Sequence, residues 1–416
     1  MSEEVIHESW LSRLSGAVKG ILVGVVFFLG AFPLLWWNEG RAVKTAKALK
    51  EGAAAVRETT SDCVDPVEDG TFVHLTGQAT TDEVLEDPDL GIAVNAIRLE
   101  RRVEMYQWQE RSQSQTRKKL GGGTETTKKY SYQKTWADRA IDSSTFHDPG
   151  HDNPGELPLS QVSKTAREVW LGKYQLPSKL IAGIQLSEPL PVNFEDVPAD
   201  QRSVLRKDGT KGFYLPQSQT EALANAGPQL GDARISYSVT RPATVSIMSQ
   251  QHGNSFTPFQ TSNGSELHML AMGNVPASEM IAAAETQNTI WTWGLRAGGF
   301  IIMCLGLSMV FKPLSVLADV LPIAGDIVQT GTGLISFCLA GAGSLATISL
   351  AWMFYRPLIG VPLLVAGIGL IVALVRFVLQ ARSSRSTTPV ADPREVDLTK
   401  PNADVTVEDI DEAISV

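Results

Sequence analysis

Four long apolar runs limit what this chain can fold into. The first covers residues 20–37, 18 positions without a charge. That is about the length needed to cross a hydrocarbon core of roughly 30 Å. It is too long for a signal-peptide core and lacks a small-x-small cleavage site, so it reads as an uncleaved anchor. Pro33 is placed to bend it, and Trp36 and Trp37 mark a membrane interface. The second run, 290–311, carries Arg296 one to two turns inside its start. A charge at that depth snorkels to the headgroups or finds a partner. With Trp291 and Trp293 beside it, snorkelling is the simpler expectation. The third, 334–355, is rich in Gly, Ala and Ser, residues that let helices approach closely in lipid. It is expected to pack among other helices or to form an oligomer contact. The fourth, 357–379, follows a tight turn at Tyr355, Arg356 and Pro357.

Between the second and third runs, Leu314, Leu317, Val320 and Leu321 share one helical face, and Pro322 breaks the pattern. Two acids, Asp319 and Asp326, make a full span there costly. The expectation for 312–333 is an interfacial or re-entrant helix. Its acids belong in headgroup water, the alternative being an ion or proton path. Four spans would place both termini on one side and residues 38–289 on the other. Charge does not choose which side is which. The terminal side has Arg13, Lys19, Lys312, Arg376, Arg382 and Arg385. The other has Arg41, Lys44, Lys47, Lys50 and Arg356, and six against five decides nothing.

The inserted residues 38–289 read as an α+β domain with a mostly antiparallel sheet. The first helix is expected to run on to Val56, with Arg41, Lys44, Lys47 and Lys50 forming a basic face near anionic headgroups. An ordinary solvated face is the plainer alternative. Strands are expected at 70–77, at 97–110 with Leu99, Arg101, Val103 and Met105 on one face, and at 128–136. The polar stretch with three glycines between the last two reads as a mobile hairpin loop. A helix is expected over 161–175, with a shorter piece around 177–183. Four strands are expected as a meander between Ala233 and Met272, and a helix from Ala277 to run straight into the second span.

Net charge is −9, but residues 391–416 hold eight acids against two bases, which accounts for −6 of it. The body is near neutral and offers no broad basic surface for nucleic acid. The tail, 380–416, reads as disordered, and residues 1–19 as a polar segment. Cys304 and Cys338 fall in apolar runs, leaving Cys63 alone, so no disulfide framework is expected. The best catalytic-looking stretch is STFHDPGHDNPGE. His147 and His151 with Asp148 and Asp152 have metal-ligand chemistry, but Pro149 and Gly150 prevent a shared helical face and no third ligand is near. A polar turn is the favoured reading. No phosphate loop, nucleophile elbow or HExxH is present, and neither cofactor nor metal is expected.

Several blocks resemble one family. NEGRAVKTAKALKEG, RRVEMYQWQE, YSYQKTW, GHDNP, GDARISYS, TWGLRAGG and FYRPL look like transmembrane protein 43 (LUMA), in matching order from about Leu14 to Arg382. The resemblance implies four spans and a large domain inserted after the first. In eukaryotic members that domain is lumenal, in the endoplasmic reticulum and inner nuclear membrane. It also implies self-association and the organisation of membrane protein complexes, with no established enzymatic activity. The family's GHxNP element is kept as Gly150, His151, Asn153 and Pro154. The Ala- and Gly-rich style points to a bacterial member, with an inner-membrane location and a periplasmic domain.

The function expected is therefore an integral membrane scaffold whose partners are lipids, other copies of itself and other membrane proteins. One alternative is a membrane-proximal enzyme using the His151 loop. Another is an oligomeric conduit using Arg296, Asp319 and Asp326.

Overall fold

Helix α1 (Trp10–Ala55) is 46 residues long and carries the first apolar run without interruption, Pro33 included. Its N-cap Ser9 accepts from the Ser12 backbone N–H, which satisfies one otherwise free donor of the first turn. Beyond the apolar run the same helix continues into the inserted domain, as its Ala-rich face requires. The computed structural model describes residues 2–208, 212–217 and 227–358, with scattered positions up to 376.

Helix α2 (Ala277–Ala318) does the same in reverse, leaving the domain and carrying the second run. Helix α3 (Pro322–Tyr355) carries the third. These three helices are long and apolar enough to cross a membrane. Four spans were expected. The fourth, 357–379, lies largely outside the described residues, and the tail, 380–416, wholly so. The separate interfacial helix expected over 312–333 does not form. Helix α2 runs through Pro313 to Ala318, and α3 starts at Pro322. Pro322 is tolerated at the first turn because its missing N–H has no partner there anyway. The proline therefore begins a long helix instead of ending a short one.

The bundle packs through its smallest residues. A Cβ built on Gly24 would meet the Gly306 carbonyl oxygen at 2.6 Å, and one on Gly306 would meet the Phe28 nitrogen at 2.6 Å. Ala31, Leu35, Met303, Leu307 and Ala340 form the buried centre. The small-residue face of α3 is used inside the chain: Gly343 lies against Met303, whose sulfur accepts from the Ser344 hydroxyl.

The inserted domain is built on two mostly antiparallel sheets. The eight-stranded sheet contains β1 (Ser2–Glu8), β3 (Arg98–Lys118), β4 (Thr124–Ala137) and β5 (Ala233–Thr240), running β1-β4-β3-β5 and then two short strands. The seven-stranded sheet centres on β2 (Phe72–Thr80) paired with β6 (Ala243–His252). As the alternation predicted, Leu99, Arg101, Val103 and Met105 all face inward and are buried. Arg101 survives there because Asp87, Asp89 and the Ser160 carbonyl accept from its guanidinium, while the Tyr237 hydroxyl donates to Asp87. Burial and the adjacent Asp87 push the Tyr237 phenol far above its ordinary range.

Three local expectations are corrected. The meander splits, because β5 pairs with β3 in one sheet while β6 pairs with β2 in the other. Pro242 lies at the corner between them, where a residue without an N–H costs no ladder bond. Residues 161–175 form short strands, Val162–Thr165, Trp170–Leu171 and Tyr174–Gln175, in place of a helix. Gly172 has φ +61° there, the left-handed conformation that a tight turn needs and a helix forbids. The stretch expected as a mobile loop is an ordered ribbon. β3 and β4 stay paired out to Lys118 and Thr124, turned by Gly121 and Gly122 at φ +87° and +79°.

That ribbon also departs from the expected two-sided arrangement. The N-terminal strand β1 pairs with its outer half, Ser2 opposite Tyr130 through Glu8 opposite Thr124. The 21 residues of β3 reach about 70 Å as a strand. The 46 residues of α1 reach about the same as a helix. The ribbon is thus long enough to meet the end of the bundle remote from the domain.

Candidate functional site

Where α1 and α2 pass from bundle to domain, their polar residues are drawn together. Directly after the span, an unpaired polar group buried between helices would cost several kcal/mol, and this cluster leaves few. Glu39 is 1% exposed. It accepts from Arg296 in a two-pronged bond (Nε to Oε1 2.6 Å, Nη2 to Oε2 2.8 Å) and from the Trp352 indole N–H at 2.6 Å. All three long helices therefore meet on one carboxylate. The Arg296 guanidinium also lies over the Trp293 ring at 4.7 Å and near the Trp352 ring at 5.4 Å, which adds cation–π attraction. The snorkelling expected of Arg296 is overturned, since the arginine turns inward to a partner. Glu39 was missed. Its only signal was an acid placed directly after an uncharged run whose neighbour in the bundle carries one basic residue.

Next to it, Asn38 donates to the Thr292 carbonyl at 3.0 Å, and about one turn on Asn288 donates to the Ala42 carbonyl at 3.1 Å. Arg41 donates to Asn288, Thr292 and Asn38, all neutral acceptors. Its Nε is buried without an acceptor. Arg41, Lys44 and Lys47 share a groove of about 680 Å³ with Trp36, Trp37, Gly40, Val43, Asn263 and Tyr355. Lys50 is exposed farther along the same helix. Arg356, also exposed, follows Tyr355 at the end of α3.

The other acids singled out lie at the far end of the bundle. Asp319, 1% exposed, accepts from Arg13 at 2.5 Å and from Lys118 at 2.8 Å. Lys118, at the tip of the ribbon, also reaches Asp326 at 2.8 Å and Gln329 at 3.2 Å. The Gly121 N–H donates to the Val320 carbonyl at 3.2 Å, and the Trp10 indole to the Val316 carbonyl at 2.8 Å. Burial opposes ionisation of Asp319, but its bonds to Lys118 and Arg13 outweigh that and hold its carboxyl below the usual range. Burial likewise opposes the Lys118 charge, and the two aspartates more than offset it. Asp319 and Asp326 thus share one lysine.

The GHxNP loop is a pin. Asn153 accepts from the Trp108 N–H at 2.7 Å and donates to the Trp108 carbonyl at 2.9 Å, mimicking a paired strand. His151 stacks on Tyr132, ring centroids 3.8 Å apart, with Trp108 edge-on at 4.8 Å. Gly150 turns the chain at φ +94° ahead of it, and Pro154 follows. His147 stacks instead on Tyr130. The two histidines therefore serve different tyrosines, and among the described residues no group of three His, Cys, Asp or Glu is placed to hold a metal.

A multi-helix anchor carrying an antiparallel domain inserted after its first helix defines an integral membrane protein. Its relatives make the class specific. A family profile described as Transmembrane protein 43 matches residues 105–357. The chain is 34% identical over 379 residues to Transmembrane protein 43 of Homo sapiens, covering 88% of this chain and 91% of that one. It is 34% identical to the Rattus norvegicus protein over 362 residues, covering 84% and 88%. Against the Drosophila melanogaster homolog it is 31% identical over 362 residues, covering 83% and 91%. This chain belongs to the transmembrane protein 43 family. No solved structure matches it.

Proposed function

We propose that this protein is a membrane scaffold, holding its sheet domain rigidly at the bilayer surface while it associates with its own copies and with other membrane proteins. The observation that carries this is the continuity of α1 and α2. Neither helix breaks between the apolar run and the domain. Their far turns supply Ala48, Leu49, Ala277, Met280 and Ile281 to a buried cluster with Phe72 and Met248 of the seven-stranded sheet and Leu267 of a neighbouring two-stranded one. A domain tied through two unbroken helices cannot swing on a linker, so partners bound to it keep a fixed position relative to the membrane. The small-residue face of α3 is occupied within the chain, so the surface left for a second copy is the outer one, where Leu334, Phe337, Cys338 and Leu345 are exposed.

Cys338 tests this directly. Mild oxidation of membranes carrying the full chain is expected to give a disulfide-linked dimer that Cys338→Ser abolishes. A strictly monomeric protein in mild detergent, with no crosslinked species in membranes, would sink the reading. The domain is taken to face the periplasm of a bacterial inner membrane, or the lumen if the membrane is endoplasmic reticulum or inner nuclear. Cys63, exposed in the domain, is then labelled by an impermeant maleimide from that side alone.

A further inference from the structure

We infer that the groove between α1 and the end of α3 is a binding site for an anionic phospholipid, its headgroup phosphate held by Arg41, Lys44 and Lys47 and its acyl chain lying on Trp36, Trp37 and Tyr355.

Charge is the first argument. The two arginines packed between α1 and α2 at this end of the bundle differ sharply. Arg296 has its carboxylate, Glu39, in the chain. Arg41 has only neutral acceptors, and its buried Nε has none. Among the described residues, neither it nor Lys44 nor Lys47 has a carboxylate oxygen within 4.0 Å. A half-buried guanidinium and two exposed ammonium groups on one helical face thus lack a counter-ion. A phosphate offers a guanidinium paired acceptors and the lysines a point charge.

Position is the second. The groove begins at the aromatic residues that close the first apolar run and opens toward the domain, which is the depth of lipid headgroups. Its cavity of about 680 Å³ suits a headgroup with the first part of a chain. Its lining is apolar toward Trp36, Trp37 and Tyr355 and cationic toward Lys44 and Lys47, matching the two halves of such a molecule. The walls are fixed. Gly40 is pressed against the Tyr355 ring, where an added Cβ would come within 2.8 Å. Asn263 donates to the Lys44 carbonyl at 2.8 Å, and Glu51 accepts from the Ser262 N–H at 2.8 Å, which seats the neighbouring turn on α1. This proposal is independent of self-association. A monomer would carry the same site.

The test is native mass spectrometry of the full-length protein released from mild detergent, titrated with phosphatidylglycerol or with phosphatidylcholine of the same chains. Phosphatidylglycerol is expected to stay bound in preference. Lys44→Gln with Lys47→Gln, both at exposed positions, is expected to weaken it by about fivefold per cation removed, the factor that corresponds to ~1 kcal/mol each. Arg41→Lys, which keeps the charge and loses the fork, is expected to weaken it less than Arg41→Gln. Equal retention of the two lipids, or unchanged retention in the double variant, would overturn the site. Full displacement of phosphatidylglycerol by millimolar glycerol phosphate or inorganic phosphate would overturn the lipid assignment and leave a site for a free phosphate.

Discussion

The two ends of the helix bundle solve the same problem, a charge beside apolar helices, in opposite ways. At the domain end, Glu39 and Arg296 come from helices that are already locked together, and Trp352 of α3 closes the cluster. At the far end, Asp319 is met by Arg13 from the start of α1 and by Lys118 from a ribbon that begins in the domain. The first cluster is a weld between neighbours. The second is a clasp between the end of the bundle and the tip of a ribbon that starts in the domain. The weld has little freedom to lose when it forms, whereas the clasp has to hold a long ribbon in place. The ribbon also constrains its surroundings. Its outer half carries Arg111, Arg117, Lys128 and Lys129, which hydrocarbon does not accept. Wherever the clasp is shut, the bundle face beneath the ribbon is therefore shielded from lipid by protein or water.

The sharpest way to break the weld is Glu39→Ala. It strips the partner from Arg296, whose side chain is only 13% exposed, and leaves a charge without a counter-ion. Losses of about 3–5 kcal/mol are usual for such half-broken buried pairs. The expected result is a large fall in the thermal midpoint of the detergent-solubilised protein, with Glu39→Gln falling less. If Glu39→Ala melts with the parent, the weld contributes nothing. Next in size is Gly306→Leu. A Cβ there already meets the Phe28 backbone nitrogen at 2.6 Å, so α1 and α2 have to separate at a cost of about 1–3 kcal/mol. Separation near Gly306 is expected to loosen the bundle centre, and the thermal midpoint reads that too.

The weld shows why part of this molecule was legible in the sequence and part was not. Apolar run length located three helices, because hydrocarbon thickness fixes it. Strict alternation placed Leu99, Arg101, Val103 and Met105 on the inner face of β3, even with a charge among them. Both signals are local. Glu39 with Arg296, and Asp319 with Lys118, are pairs separated by 257 and 201 positions, and no period links them. Pro322 was read as a breaker because a proline interrupts a helix interior and equally well starts a helix, and only the packing of α3 decides. Gly172, inside the stretch expected as a helix, takes a left-handed turn that no period announces. The GHxNP loop was visible as a motif. Its role as a pin on the Trp108 backbone depends on β3 passing beside it, which spacing alone does not tell.

The clasp is tested by Asp319→Asn. Both cations lose their shared carboxylate, but Lys118 keeps Asp326, which is mostly exposed. The cost is about 1–2 kcal/mol, at the lower end for hydrogen bonds to charged groups. It falls on the ribbon tip and, through Arg13, on the start of α1. A cysteine pair at Leu120 and Leu321, exposed residues on either side of the Gly121–Val320 hydrogen bond, leaves the charged groups in place and is the measurement. It is expected to oxidise in membranes of the otherwise unchanged chain, in a Cys63→Ser, Cys304→Ser, Cys338→Ser background. Adding Asp319→Asn is expected to slow it. Failure to oxidise would mean that the ribbon tip and α3 do not meet in a bilayer, and would restore the two-sided arrangement read from the apolar runs.

The smallest effect expected is pH dependence, which separates clasp from weld without a mutation. Asp319 titrates below the usual carboxylate range in the folded protein because Lys118 and Arg13 outweigh its burial. A group with a depressed folded pKa contributes stability above its unfolded pKa and loses it as pH falls through the folded one. Lys118 is shifted upward by Asp319 and Asp326. Its contribution is complete below its ordinary pKa and is lost only as pH rises through the raised value. The clasp is thus at full strength from about neutral to mildly alkaline pH and opens on the acid side first. Acidification to below the ordinary aspartate pKa of about 3.9 is expected to expose the ribbon tip to protease at Lys118 or Lys119 while the domain core stays protected. Tip cleavage independent of pH would mean that the Gly121 and Trp10 backbone contacts hold the ribbon without the charges.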